Sequence, residues 1–177
     1  RIEQIGTGQE LYERPASLFV ASFMGESNIF IGRLEAHAAG AEVVSDAWRL
    51  RVPPEAGKTA GLAGSTQVAV VLRPEHATLC RAGQAAPEPA NVFTGTVTEV
   101  IYLGATRKCV IALEDGTVLH ARLPEQDSDE ETPGSTVSLS WSVERGAIVS
   151  AESSHVAAPD GEAARLEPDQ PTPLAPT

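Results

Sequence analysis

The sequence predicts an all-β fold preceded by a short helical segment. From Asn28 onward apolar and polar residues alternate with a period of two, which is typical of strands that turn one face toward a core. Short β-branched runs recur roughly every ten residues and are separated by glycine and proline, a spacing that favours small barrels or a sandwich. Asp115-Gly116 lies between two of these runs and indicates a hairpin turn.

Residues 1–26 are the region with a helical pattern. Thr7 and Glu10 have the spacing of a capping box, in which a hydroxyl and a carboxylate satisfy the first free backbone amides of a helix. This helix is expected to end at Arg14, because the residue before a proline avoids the α region. A second short amphipathic helix is predicted around 18–23. Since helices this short are marginal alone, we expect both to pack on a surface outside this chain.

The stretch 93–123 predicts a three-stranded meander. Its strands are expected at 94–102, 107–113 and 117–123. Asp115-Gly116 is expected to form a two-residue loop in which both positions accept a positive φ. Further strands are predicted at 29–34, 48–52, 67–72 and 137–143. In the last of these, apolar residues alternate with serines, so that Trp141 is expected to face the core and Ser140 the solvent.

The chain divides into three parts by composition. Residues 1–26 carry the helical pattern, residues 27–154 the β pattern, and residues 155–177 form a proline-rich, polar tail that we expect to be flexible. The chain begins at Arg1, without a methionine and inside a β-like run. We therefore expect it to be a piece of a longer protein. No signal peptide or membrane span is predicted.

Charge and composition disfavour several classes of partner. The 13 Lys and Arg residues are outnumbered by 24 Asp and Glu residues, for a net charge of −11. Nucleic acids and anionic membranes are bound by clustered cations and are therefore unfavoured partners. Cys80 and Cys109 are isolated and are expected to be buried thiols of a reducing compartment, with a disulfide or a reactive thiol as the alternative. The four histidines are far apart, so that no metal site is expected.

The sequence contains only a partial phosphate loop. Gly57-Lys58-Thr59 resembles the end of such a loop, but Val52 stands where its first glycine is required. Pro53 and Pro54 have no amide hydrogen with which to hold a phosphate. A G-x-S-x-G nucleophile turn is also missing. We therefore expect this chain to carry no catalytic residues and no cofactor site.

A functional or interface site is suggested where the strand 67–72 ends. Arg73 closes this strand, Pro74 removes a donor from the ladder, and Glu75 places a carboxylate two residues after the arginine. The simpler alternative is a turn that leaves the sheet with an ordinary surface ion pair, which contributes little to stability.

Three segments, taken in order, resemble the C-terminal part of the ATP-binding subunits of bacterial ABC importers of the polyamine or ferric-iron type. They are RIEQIGTGQELYERPASLFVASFMGESN, VLRPEH, and FTGTVTEVIYLG followed by LEDGTVL. The resemblance covers about residues 1–150 and departs from the family at Gly8, where proline is usual. It implies that residues 27–154 form the TOBE (transport-associated OB) region, a tandem of small OB-like barrels that follows the end of the nucleotide-binding domain.

The resemblance also implies a function. The ATPase motifs of the family lie upstream of Arg1, so that ATP and Mg would belong to the parent subunit and this chain would not be an enzyme. The implied role is regulation or dimerisation in a cytoplasmic protein, peripheral on the inner face of the cell membrane. The implied partners are its own ATPase domain, a second copy and the membrane permease subunits. Residues that match family motif positions, as candidate regulatory or interface residues, are Arg73, Glu75, Tyr102 and Gly104.

Two alternatives stay open. Residues 91–95 also resemble the OB-like domains that bind molybdate or other oxyanions between subunits. Hydroxyls and cations that could furnish such a site are Thr94, Thr96, Thr98, Arg107 and Lys108. The other alternative is a purely structural dimerisation domain.

Overall fold

The all-β prediction is confirmed by a computed structural model, which describes residues 2–37, 40–58, 67–81, 90–125 and 132–151. Two short helices come first, α1 (Gly8–Glu13) and α2 (Leu18–Phe23). The strands that follow are β1 (Asn28–His37), β2 (Gly40–Val44), β3 (Arg49–Val52), β4 (Gln67–Leu72), β5 (Thr78–Arg81), β6 (Ala90–Tyr102), β7 (Thr106–Ala112), β8 (Val118–Pro124), β9 (Thr136–Ser142) and β10 (Ala147–Ser150). Short 3₁₀ turns are Pro54–Lys58, Pro74–His76 and Val143–Arg145.

The strands form two five-stranded antiparallel sheets, with the orders β10-β4-β1-β2-β3 and β5-β9-β6-β7-β8. We call the first sheet lobe one and the second lobe two. The 3₁₀ turn Pro74–His76 carries the chain from β4 into β5 of lobe two, and the turn Val143–Arg145 carries it from β9 back into β10 of lobe one. β5, an edge strand of lobe two, therefore follows β4 of lobe one in the chain. In the same way β10, an edge strand of lobe one, follows β9 of lobe two.

The two lobes repeat each other, a feature that sequence reasoning missed. β1 and β6 both begin with the pattern N-x-F-x-G, at 28–32 and 91–95. A Cβ atom on Gly32 would lie 2.7 Å from the carbonyl oxygen of Val44, and one on Gly95 would lie 2.7 Å from that of Ala112. The neighbouring strand approaches so closely at both positions that only glycine fits without displacement.

The asparagine of each repeat joins its own lobe to the other lobe. The Asn28 side chain donates to the His120 carbonyl at 2.8 Å and accepts from the His120 amide at 2.7 Å. The Asn91 side chain donates to the Arg51 carbonyl at 2.9 Å and accepts from the Arg51 amide at 2.8 Å. Both asparagines are buried. These reciprocal bonds satisfy buried polar groups and fix the two lobes relative to each other.

One buried cluster is shared by both lobes. At its centre Phe30 stacks on Phe93 and Trp141, with ring centroids 5.6 and 5.4 Å away, and meets the edge of Trp48 at 5.5 Å. Trp141 faces this core as predicted. Ser140 was expected to be solvent-exposed but is buried, because β9 lies between β5 and β6 and the neighbouring strands close over its small side chains.

Two further local predictions were wrong. The β7–β8 hairpin has a three-residue loop, in which the Leu113 carbonyl accepts from the Gly116 amide at 3.1 Å and the Leu113 amide donates to Thr117 at 2.8 Å. Gly116 has φ +84°, as this longer loop requires. The second correction concerns α2, whose Leu18 and Ala21 pack inside this chain. The reason is that the outer face of β4 is apolar as well and needs a cover.

Some predictions lie outside the described residues. They concern the tail 155–177 and the threonine at position 59. In the described ranges, no helix is long and apolar enough to cross a membrane.

Candidate functional site

The capping box that begins α1 is confirmed. The Thr7 hydroxyl accepts from the Glu10 amide at 3.2 Å, and the Glu10 carboxylate accepts from the Thr7 amide at 2.8 Å. The bond from the Thr7 amide holds the pKa of Glu10 below its ordinary value. This cap fixes the start of α1 and thereby places Tyr12, in its last turn, beside the end of β4.

Arg73 leaves the end of β4 and is 3% exposed. Its Nη2 donates to the Tyr12 carbonyl at 2.9 Å, and its Nη1 donates to the Ala21 carbonyl at 3.1 Å. Nη1 also donates to the backbone carbonyls of residues 25 and 26 and to the Ser27 hydroxyl. Its guanidinium lies 4.0 Å from the centroid of the Tyr12 ring. Arg73 therefore ties both helices, and the chain that leaves them, to lobe one.

Tyr12 stands between Arg73 and Glu75. Its hydroxyl donates to Glu75 Oε1 at 2.5 Å. Burial, together with this bond to the carboxylate, raises the pKa of Tyr12 to about 12. Burial also lowers the pKa of Arg73, against the opposing effect of Tyr12 and Glu75. The simpler alternative, an ordinary surface pair of Arg73 with Glu75, is therefore not what forms, because Arg73 is buried and Tyr12 stands between the two residues.

Glu26 joins the same segment to lobe two. Its Oε1 lies 2.7 Å from Lys108 Nζ of β7 and 2.8 Å from His120 Nδ1 of β8, and its Oε2 lies 3.9 Å from Arg122 Nη2. Burial raises the pKa of Glu26, but the bond from Lys108 and the neighbouring positive charges outweigh it, so that the pKa is lowered. Burial lowers the pKa of His120, against the attraction of Glu26.

These contacts form one continuous polar cluster where the helical segment meets both lobes. We call it the junction network, and its members are Tyr12, Glu26, Arg73, Glu75, Lys108, His120 and Arg122. The strand registers place Ser142 of lobe two at the position equivalent to Arg73. The network is therefore built where the helices enter and is not repeated by the internal symmetry. Its contacts are hydrogen bonds and ion pairs that hold the helical segment against both lobes.

The structure separates the four predicted site residues into two places. Arg73 and Glu75 belong to the junction network. Tyr102 is 68% exposed at the end of β6, and Gly104 has φ +81° in the turn to β7. Among the described residues, neither takes part in the hydrogen bonds and ion pairs of the network.

The five residues proposed for an oxyanion site do not surround one point. Lys108 lies opposite Ile101, seven residues along β6 from Thr94, and seven residues of strand span roughly 23 Å. Arg107 is buried, and the Thr98 hydroxyl donates to the Val110 carbonyl at 3.2 Å.

Metal and thiol chemistry find little support in the part of the chain that the structure describes. In that part, no group of three or more His, Cys, Asp and Glu side chains is arranged to hold a metal ion. Cys109 is a buried thiol and Cys80 a partly exposed one, without a disulfide.

Sequence reasoning missed four members of the network, Tyr12, Glu26, His120 and Arg122, and considered Lys108 only for an oxyanion site. Tyr12 and Glu26 reach partners that are 61 to 96 residues away in the chain, which no local pattern reveals. The available signal was the placement of Lys108, His120 and Arg122 on the same face of a predicted hairpin.

Acid is expected to destabilise the chain in two steps. The folded state favours neutral His120, so this contribution is present above pH 6.5 and is lost as the pH falls toward the lowered pKa of the folded state. The Glu26 contribution is present above its ordinary pKa of 4.5 and is lost at still lower pH. Urea unfolding between pH 7.5 and 2.5 should show both losses, and the His120→Asn variant should lack the first. His37→Asn, at an exposed histidine, serves as the control, and identical pH profiles for the wild type and His120→Asn would contradict the assignment.

Three comparisons relate the chain to known proteins. A family model described as a TOBE domain matches residues 70–149. The spermidine/putrescine import ATP-binding protein PotA of Oleidesulfovibrio alaskensis is 35% identical over 150 residues, which are 80% of this chain and 39% of the relative. The same protein of Thermobifida fusca is 35% identical over 156 residues, 84% of this chain and 38% of the relative. The chain thus spans about two fifths of the length of these relatives.

A solved structure is similar in fold. It is the cytoplasmic molybdate-binding protein ModG with molybdate bound, which matches with a TM-score of 0.57 over 68% of this chain and 94% of that chain. The two sequences are 22% identical. At this identity the likeness bears on the fold, and it agrees with the OB-like barrels that the sequence led us to expect.

Proposed function

Since residues 70–149 carry a TOBE domain and the chain is similar to part of the ATP-binding subunits of polyamine importers, we propose that it is the C-terminal regulatory part of such a subunit. In this proposal ATP and Mg are bound and used by the ATPase domain of the longer protein. This chain contributes no catalytic group and serves to position, regulate or dimerise that domain. Solute uptake of the spermidine/putrescine class is the corresponding transport function.

The junction network is the observation that carries this proposal. A rigid connection allows a displacement of the attached ATPase domain to be transmitted to the two lobes. Arg73 binds backbone carbonyls of both helices and of the connection to β1. Glu26, in that connection, is held by Lys108 and His120 of the other lobe. The helical segment is therefore fixed to both lobes. A displacement of the helical segment would be transmitted to the lobes, and a displacement of the lobes to the helical segment.

The outer side of the helical segment offers a surface for the ATPase domain. Phe19 and Phe23 of α2 stack with ring centroids 6.2 Å apart and are 54% and 80% exposed. Ile2 and Ile5, just before α1, are 75% and 85% exposed. Apolar side chains exposed together mark an interaction surface. Because the relatives are more than twice as long as the matched region, we propose that the rest of the same subunit covers these residues.

Further partners follow from this assignment. A second copy of the subunit and the membrane permease subunits complete the proposed importer, which would place the protein peripherally on the cytoplasmic face of the cell membrane. The high acidic content, with a net charge of −11, favours attachment through the permease over direct binding to anionic lipid.

The proposal can be tested in the whole subunit, assembled with its permease. Phe23→Asp places a charge on the proposed contact and should lower labelled spermidine uptake at least tenfold while the subunit still binds ATP. Val118→Asp introduces the same charge at a valine of lobe two that is 52% exposed, and it should leave uptake within about twofold, since surface substitutions are usually mild. Uptake that survives Phe23→Asp, or ATP turnover by the 177-residue chain alone, would contradict the proposal.

A further inference from the structure

A small pocket is lined by both of the turns that connect the lobes. His76 comes from the turn between β4 and β5, and Arg145 from the turn between β9 and β10. The strands β5, β6 and β9 of lobe two supply the other lining residues, which are Thr78, Ala90, Ser140, Trp141 and Ser142. The pocket has a volume of about 210 Å³, which is that of about seven water molecules in the liquid at ~30 Å³ each. Its size therefore suits a small solute.

Two ring nitrogens of the lining residues are buried and have no hydrogen-bond partner in the part of the chain that the structure describes. They are His76 Nδ1 and Trp141 Nε1. The indole nitrogen can only donate, whereas a nitrogen of a neutral imidazole can accept. Trp141 is 2% exposed. A buried polar atom without a partner is costly and marks a place where an additional group would bind favourably.

The internal repeat distinguishes this pocket from the equivalent place in lobe one. The strand registers make Val71 equivalent to Ser140, and Ala147 equivalent to Thr78. In lobe one these two apolar residues pack with helix α2, and Arg73, at the end of the same strand, binds the helical segment. In lobe two the same positions carry hydroxyls and border the pocket. The hydroxyl lining is therefore not repeated in lobe one.

We propose that this pocket binds a small neutral polyol, with hydroxyls on adjacent carbons. A hydroxyl both donates and accepts, so adjacent hydroxyls can donate to His76 Nδ1 and accept from Trp141 Nε1. The remaining hydroxyls can exchange hydrogen bonds with the serine and threonine side chains of the lining. An oxyanion offers acceptors only and would leave a neutral imidazole nitrogen without a donor. The mixed donors and acceptors of the pocket therefore favour the polyol.

The pocket has a buried floor and an exposed rim. Ser140 is 3% exposed, whereas Thr78, Ser142 and Arg145 are exposed. A small solute can therefore enter without unfolding either lobe. A bound polyol would contact both connecting turns and, because it binds the folded chain, would stabilise it.

This inference goes beyond the proposed function and does not depend on it. Binding is measured on the 177-residue chain, so its failure would leave the importer assignment untouched. Failure of the uptake test would likewise leave the polyol site untouched.

The two tryptophans of the chain allow a direct test, because each gives one indole N–H signal in the nuclear magnetic resonance spectrum of the ¹⁵N-labelled protein. In titrations with erythritol at pH 7.5, the Trp141 signal, assigned with the Trp48→Phe variant, should shift and saturate. Saturation is expected in the millimolar range, since a ligand of so few atoms has little binding energy. The Trp48 signal should stay in place, because Trp48 is not among the described residues that line the pocket.

A second diol provides the matched ligand control. 1,4-Butanediol has the carbon chain and terminal hydroxyls of erythritol but no adjacent pair, and it should bind at least tenfold more weakly. An equal response to the two compounds would contradict the proposal, as would a Trp141 signal that erythritol does not shift. A shift of both indole signals in proportion to erythritol, without saturation, would indicate an adventitious additive only and would likewise overturn it.

Variants show whether the named groups hold the polyol. His76→Leu removes the accepting nitrogen and should weaken erythritol binding at least tenfold, whereas His76→Gln keeps an acceptor and should retain part of the affinity. Thr78→Val removes a hydroxyl of the rim with little change of shape and should weaken binding at least threefold. Thr96→Val is the matched control, because Thr96 is also an exposed strand threonine but lies outside the pocket. Circular dichroism establishes that each variant is folded.

Two outcomes of these titrations would refute the site. The first is an erythritol affinity that His76→Leu leaves unchanged or that Thr96→Val lowers as much as Thr78→Val. The second comes from inorganic phosphate, titrated at equal ionic strength. Phosphate that saturates the Trp141 shift at a lower concentration than erythritol would replace the polyol by an oxyanion and overturn the proposal as stated.

Discussion

Replacing Arg73 by methionine is expected to lower the free energy of unfolding by on the order of 3 kcal/mol, since hydrogen bonds to charged groups are among the stronger contributions and their buried partners would be left unsatisfied. Arg73 is 3% exposed and donates to the carbonyls of Tyr12 and Ala21. Methionine fills a similar volume and supplies no donor. Urea unfolding followed by circular dichroism measures the change. Proteolysis near residue 25 should also accelerate, because the helical segment loses its main attachment to lobe one.

The controls separate this role from a general effect of charge. Arg33→Met removes an arginine whose side chain is 67% exposed and which pairs with Glu35 at 3.2 Å, so its effect should stay below about 0.5 kcal/mol. Arg73→Lys keeps the charge, but one ammonium cannot reach carbonyls on both helices, so most of the loss should remain. Equal stability of Arg73→Met and Arg33→Met would show that Arg73 does not hold the helical segment to lobe one.

The β architecture could be predicted because its causes are local. Alternation along β9 assigned Trp141 to the core, and the run 67–72 predicted the strand that is β4. The capping box at Thr7 and Glu10 is likewise decided within four residues. The predicted two-residue hairpin loop was wrong because the loop length also depends on where the hydrogen bonds between β7 and β8 stop. The last of these bonds joins Leu113 to Thr117, so the residue before Asp115 is part of the loop as well.

The junction network could not be predicted because its partners are brought together only by the fold. Arg73 was singled out at a strand end, yet its contacts lie 46 to 61 residues away in the chain. Glu26 had no local feature that set it apart from other acidic residues, and its partners are on β7 and β8. Side-chain ion pairs of this kind depend on the relative position of the lobes, which the buried asparagines fix.

The repeat of N-x-F-x-G was present in the sequence and was overlooked because each copy was read as part of a separate strand. In the structure, equivalent residues of the two copies have the same roles. Each glycine allows a close approach of the neighbouring strand, each phenylalanine enters the shared core, and each asparagine binds the backbone of the opposite lobe. A short motif that occurs twice is therefore a better indicator of a two-lobed architecture than either copy alone.

Trp141→Ala should destabilise the chain by about 3–5 kcal/mol, the usual range for removing a large buried aromatic side chain. Trp141 is 2% exposed, and its ring lies 5.4 Å from Phe30 and 5.7 Å from Phe93. Alanine would leave a cavity between the lobes that neither sheet can close, because the asparagine bonds hold them apart at a fixed distance. Urea unfolding followed by circular dichroism is the appropriate measurement, since the substitution removes one of the two tryptophans.

Two further substitutions test whether the packing of the Trp141 ring accounts for this loss of stability. Ser140→Ala, on the other face of the same strand, removes one hydroxyl and should cost less than about 1 kcal/mol even though Ser140 is buried. Trp141→Phe should cost much less than Trp141→Ala, because phenylalanine keeps the aromatic contact and eliminates the indole N–H, a buried donor that has no partner among the described residues. If Trp141→Phe were as damaging as Trp141→Ala, the indole nitrogen would have to be making a bond that this geometry lacks, and packing alone would no longer explain why the strand turns Trp141 inward.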